Sequence, residues 1–67
     1  MNKYPVTIFW SAEDGCFVAV APDLKGCSAV GHTAEEALRE ISIAVELWLE
    51  TAKTEQKPIP APSRVAA

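Results

Sequence analysis

"APDLKGCSAVGHTAEEAL", Ala21 to Leu38, joins a reversal, a short strand and a helix start within eighteen residues, and the rest of the chain arranges itself around it. Pro22 presets its φ, the Asp23 side chain can bond backbone amides, and Gly26 relaxes the steric limits of a tight turn. "CSAVGH", Cys27 to His32, then reads as a strand. Thr33 followed by Glu36 is a T-x-x-E capping box. In that box the threonine oxygen accepts from the amide three residues on, and the glutamate reaches back to the cap amide. Glu35 and Glu36 also suit the positive end of the helix dipole.

Toward the C-terminus the helix signal continues. Ala34, Ala37, Leu38, Ile41, Ala44, Val45, Trp48, Leu49 and Ala52 recur at three- and four-residue steps, an apolar stripe about five turns long. This stripe is expected to lie on a sheet. Ile43 and Leu47 fall off it and widen it; they are candidates for contact with a second subunit or another protein, or for a broader buried face within one subunit. After Lys53 the pattern decays into "TEQKPIPAPSRVAA", whose prolines stop the helix before Pro58 and favour an extended, polyproline-like path. "SRVAA", the last five residues, is a possible short edge strand.

Toward the N-terminus, Tyr4 to Ser11 alternates. Tyr4, Val6, Ile8 and Trp10 fall on one side and Pro5, Thr7, Phe9 and Ser11 on the other, the period of a strand. "AEDG" supplies a turn in which Asp14-Gly15 can take positive φ, and "CFVAVA", Cys16 to Ala21, is a second strand paired antiparallel with the first. The expectation is an α+β fold: an antiparallel sheet of three or four strands with one long helix on one face. Residues 4–54 form the meander and helix of a single domain spanning 1–67, and 55–67 form a Pro-rich tail. If the helix covers the Tyr4 and Trp10 face, the Phe9 and Thr7 face is free for a partner. Phe9 is therefore a candidate contact, whereas Trp10, Phe17 and Trp48 read as core.

Size and charge narrow the function classes. A chain of 67 residues buries only about 60% of the surface its unfolded form exposes, so support from another subunit is expected. Nine acids against six bases give a net charge of −3, with no basic run of the kind that marks nucleic-acid binders. That balance suits a basic protein partner, and it is also what ordinary solubility requires. No signal peptide or membrane span is readable, so a cytoplasmic location is expected, with Cys16 and Cys27 as thiols. Ten intervening residues separate the two cysteines, which fits neither a redox C-x-x-C nor a paired zinc knuckle. Cys27 and His32, five apart on one strand, point to opposite faces and cannot form a nucleophile–base dyad. No metal or cofactor is expected.

The run from Tyr4 to about Pro62 resembles the HicB-type antitoxin domain of bacterial toxin–antitoxin pairs. The resemblance is carried by the aromatic strand ending at Trp10-Ser11, the "APDLKGC" turn, the "GHTAEEAL" helix start and "PIPAP" after the helix. It implies a β-β-β-α-β, partial RNase H-like fold, a dimer or higher oligomer, and the binding and silencing of a HicA-like messenger-RNA-cleaving toxin. Full-length members commonly add a C-terminal DNA-binding domain. With the chain ending at Ala67 and no basic patch, direct operator binding is not expected. Nor is nuclease activity: two-metal cleavage needs converging carboxylates, whereas Asp14 and Asp23 have turn-forming roles, Glu35 and Glu36 serve the helix start, and no acid falls inside the first two strands. The candidate contact set for a toxin is Phe9, Glu13, Asp14 and Asp23, with Ile43 and Leu47 for self-association. The alternative reading is a stand-alone oligomeric domain with a structural or ligand-binding role and no toxin.

Overall fold

The computed structural model describes residues 4–62. Strands β1 (Thr7–Ser11), β2 (Cys16–Val20) and β3 (Ser28–Gly31) form an antiparallel meander in the order β1-β2-β3, followed by helix α1 (Ala34–Thr54). This is the expected α+β arrangement. The strands are shorter than the alternation suggested: β1 begins at Thr7 rather than Tyr4, β2 ends at Val20, and β3 excludes Cys27 and His32. The possible fourth strand, 63–67, lies outside the described residues, and the described tail up to Pro62 contains no strand.

The helix covers one face of the sheet, lying chiefly over β3 and β2. Ala19, Ala21, Leu24, Cys27, Ala37, Ile41 and Val45 are buried between them, with Ile8, Phe17, Ala29, Ala44, Trp48 and Leu49 packed around. Small residues on the strands set how closely the layers approach. A Cβ placed on Gly31 would stand 2.5 Å from the Ala37 amide nitrogen, so the first helical turn crosses β3 at a point only glycine permits. Ile41 and Leu24 are the largest fully buried side chains, each contributing about 1.5–3 kcal/mol of apolar burial. Leu24 anchors the β2–β3 connection from beneath: its N–H donates to Ala21 O and its carbonyl accepts from Cys27 N, both at 3.0 Å.

Two details depart from the sequence reading. Thr33 Oγ1 accepts from Glu36 N at 3.0 Å, as the capping box requires, but Glu36 Oε1 reaches past the cap to accept from His32 N at 3.2 Å. Ala34 and Leu38 are exposed instead of buried, Leu38 at 48%. At 100° per residue Leu38 lies within about 20° of Val45 and Leu49 around the helix, and the helix packs mainly on β3 and β2 and least on β1.

The helix ends before its prolines. Gln56 takes φ 56°, with its N–H on Lys53 O and the Lys57 N–H on Ala52 O, a Schellman closure with glutamine where glycine is usual. The tail then returns to the sheet, where the Tyr4 hydroxyl donates to Pro60 O at 2.6 Å.

Candidate functional site

The face of the sheet opposite the helix is left open. Strand alternation and register place three cross-strand rows on it: Phe9–Val18–Val30, Thr7–Val20–Ser28 and Ser11–Cys16. Phe9 is 46% and Val30 56% exposed, while Val18 and Val20 are half-buried by their neighbours. The strands contribute no charged side chain to this face. Aromatic and β-branched cross-strand pairs of this kind stabilise a sheet locally, and here they also present an apolar surface to solvent.

Phe9 therefore stands where the sequence placed it. Val18, Val20 and Val30 complete its surface and were not read from the sequence. The available signal was the contrast within "CFVAVA" and "SAVG", where valines alternate with alanine or glycine: the small residues face the helix and the branched ones face out.

The acids of the candidate set frame this face but do not meet. Glu13 and Asp14 lie in the β1–β2 turn and Asp23 in the β2–β3 connection, at opposite ends of β2, whose five residues span about 17 Å. Asp14 is engaged in its turn: Ser11 Oγ donates to its Oδ2 at 2.9 Å, and its own N–H donates to Ser11 Oγ at 3.3 Å. Gly15, at φ 64°, closes the turn by donating to Ser11 O. Asp23 is half-buried and Glu13 exposed.

On the helix side, Trp10 meets Phe17 edge to face, with ring centroids 5.1 Å apart, yet is 55% exposed. It is thus not the core residue the alternation suggested. Trp48 is half-buried and its Nε1 donates to Lys25 O at 3.0 Å, tying the helix to the chain leading into β3. Beside it an open groove of about 540 Å³ is lined by Lys25, Ser28, Ala44, Leu47 and Thr51 among others. Ile43 and Leu47 are exposed, at 47% and 58%, and so belong to no buried face within the single chain.

Cys27 and His32 are not assembled into a site. Cys27 is buried beside the core and burial pushes its thiol above the ordinary value of 9.0, away from the thiolate needed for nucleophilic or metal chemistry, while His32 is exposed. Among the described residues no group of three His, Cys, Asp or Glu is placed to hold a metal ion, and no helix is long and apolar enough to cross a membrane.

Comparison with known proteins adds the family. Two UPF0150 proteins of Synechocystis sp. are 50% and 41% identical to the chain over 58 residues, covering 87% and 85% of it and 78% and 73% of their own lengths. A UPF0150 protein of Thermoplasma acidophilum is 40% identical over 58 residues, covering 87% of the chain and 83% of its own length. No solved structure matches at a significant level. The family model described as the HicB-like antitoxin of bacterial toxin–antitoxin systems matches residues 4–67, which takes in the whole sheet, the open face and the helix. With that match over nearly its full length, the chain belongs to the HicB-like antitoxin family.

Proposed function

We propose that this chain is a binding protein that silences a small, basic HicA-like RNA-cleaving toxin by occlusion, and that the open sheet face is where the toxin sits. The observation that carries the reading is the pairing of an uncharged apolar face, Phe9–Val18–Val30, with acids at both of its ends, in a member of an antitoxin family. A basic partner laid along β2 would bury the apolar rows at the centre and meet Glu13 and Asp14 at one end and Asp23 at the other. That distribution follows general interface anatomy, with a dry centre and a charged rim. The rim would speed encounter and select a basic partner, while the apolar centre would supply most of the affinity. Covering the toxin's RNA-binding face keeps messenger RNA from its catalytic group, so the antitoxin needs no chemistry of its own. The reading assigns no catalytic, metal or cofactor role to any residue of the chain.

The test is co-expression with a HicA-type toxin from the same operon, purification of the pair, and titration at low and high salt. A complex that forms at low salt and weakens as salt rises supports the proposal. Absence of a complex at low salt contradicts it and leaves the stand-alone oligomeric domain as the better reading.

A further inference from the structure

The free edge of β3 is unprotected. Ala21 N donates to Cys27 O at 3.0 Å, so the bonded pairs between β2 and β3 fall at every second step, through Ala19–Ala29 and Phe17–Gly31. The N–H and C=O of Ser28 and Val30 therefore point away from β2, and neither residue makes another hydrogen bond among the described residues. "SAVG" holds no charge and no proline, the usual guards of such an edge. A row of unpaired backbone groups of this kind is a template for a further strand.

Beside this edge runs the open groove of about 540 Å³, within the roughly 300–1,000 Å³ of ligand clefts. Its helix wall is Ala44, Leu47, Trp48 and Thr51, and its sheet wall is the segment from Lys25 to Ser28. The Trp48 bond to Lys25 O holds the two walls together. Charge sets the groove apart from the rest of the molecule. In a chain of nine acids and six bases, two lysines and no acid line it. Lys57 is held by Glu55 at 2.7 Å, whereas the Lys25 ammonium has no ion pair among the described residues. Glu50 and Glu55 line the neighbouring depression beyond Leu47 and Thr51, so the uncompensated positive charge lies at the Lys25 end.

We propose that this edge and groove bind a foreign peptide in extended form: the peptide adds a strand to β3, sets an apolar side chain into the groove and brings a carboxylate to Lys25. Its main chain bonds the outward groups of Ser28 and Val30, which any sequence can satisfy, and its side chains supply the selectivity. Side chains of a strand alternate with a period of two, so every second residue of the added strand faces the helix layer, toward Leu47 and Trp48. The pattern required is thus an apolar residue with an acid two places away. A second copy of β3 lacks that pattern, since "SAVG" carries no acid to offer Lys25. The charge of the groove therefore favours a foreign acidic segment. The inference does not rest on the toxin reading, which concerns the opposite face of the sheet and a partner of opposite charge.

The test titrates the whole chain, isotopically labelled for magnetic resonance, with the terminally blocked peptide TDTLTDT, whose leucine and aspartates fall on one side of a strand. The expected result is saturable shifts of the Ser28 and Val30 amides and of the Trp48 indole N–H, with slower solvent exchange of the two amides. Replacing the leucine of the peptide with alanine is expected to weaken binding on the order of tenfold. Exchanging its aspartates for lysines, or Lys25→Glu in the protein, is expected to weaken it at least about fivefold. Lys25 is exposed, so this variant is expected to keep its fold, which its helical circular dichroism checks. No binding at millimolar peptide, equal binding of the acidic and basic peptides, or shifts at Leu47 and Trp48 without protection of Ser28 and Val30 would overturn the proposal. So would protection of those two amides in the chain alone, because a second copy would then occupy the edge.

Discussion

Toward the helix, β2 and β3 present Ala19, Ala29 and Gly31; toward solvent they present Val18, Val20 and Val30. Phe17 also faces the helix, but around Gly31 the covered positions are small, while the valines lie on the open face. The difference follows from what each face must accommodate. A helix brought close enough for Ala37 to lie against Gly31 leaves no room for a side chain at that point, and the core volume comes chiefly from Ile41, Val45 and Leu24. On the open face no helix sets a limit: Val18 and Val20 are half-buried by their neighbours and Val30 is 56% exposed. One face of the sheet thus serves folding, and under the proposed function the other serves association.

The sharpest way to break this comparison is to remove apolar groups from a buried site and from the open face in turn. Ile41→Ala, which empties a fully buried site, is expected to cost about 2–5 kcal/mol of unfolding free energy in urea denaturation. Val30→Thr on the open face is expected to stay within about 0.5 kcal/mol for the isolated subunit. Equal losses would mean that the open face is part of the core. Next in size is Gly31→Ala, whose Cβ must push the first helical turn off β3; a loss of about 1–3 kcal/mol is expected, seen as a lower midpoint in the same titration.

A stabilising change outside both faces sharpens the contrast. Gln56→Gly relieves the left-handed backbone at the helix end and is expected to add about 0.5–1 kcal/mol, measured by thermal unfolding, without altering association. Smallest is the pH effect of Cys27. Burial holds its thiol above 9.0 in the folded chain, so as pH rises past that value the unfolded chain loses its proton first and stability falls. Unfolding free energy measured between pH 8 and 10 should decline for the native chain and decline less for Cys27→Ala.

Much of this was legible beforehand because local signals agreed. The period-two runs, the Asp14-Gly15 and Gly26 reversals and the Thr33–Glu36 cap each depend on a few neighbouring residues, and all reappear in the structure. What escaped the sequence was set by distant contacts. Leu38 fits the stripe but is 48% exposed, whereas Val45 two turns on is buried, a difference that no periodicity encodes. The helix end at Gln56 was hidden because glutamine rarely marks a left-handed closure, and the prolines beyond it seemed sufficient. Of the candidate site, Phe9 was readable from alternation in β1. Its neighbours Val18 and Val30 were harder to read, since "CFVAVA" is apolar on both sides and the signal was only the alternation of valine with alanine or glycine.

The central claim is that the open face is the toxin-binding face, and the most direct measurement is a calorimetric titration of a co-purified HicA-type toxin, dissociated and refolded, with the native chain and with Phe9→Asp. Phe9 is already 46% exposed, so the variant is expected to keep its fold, which circular dichroism and urea unfolding would verify. The account predicts a loss of toxin affinity of at least about tenfold for this variant, as for an anchor at the centre of an interface. A folded Phe9→Asp chain that binds the toxin as tightly as the native one would contradict it.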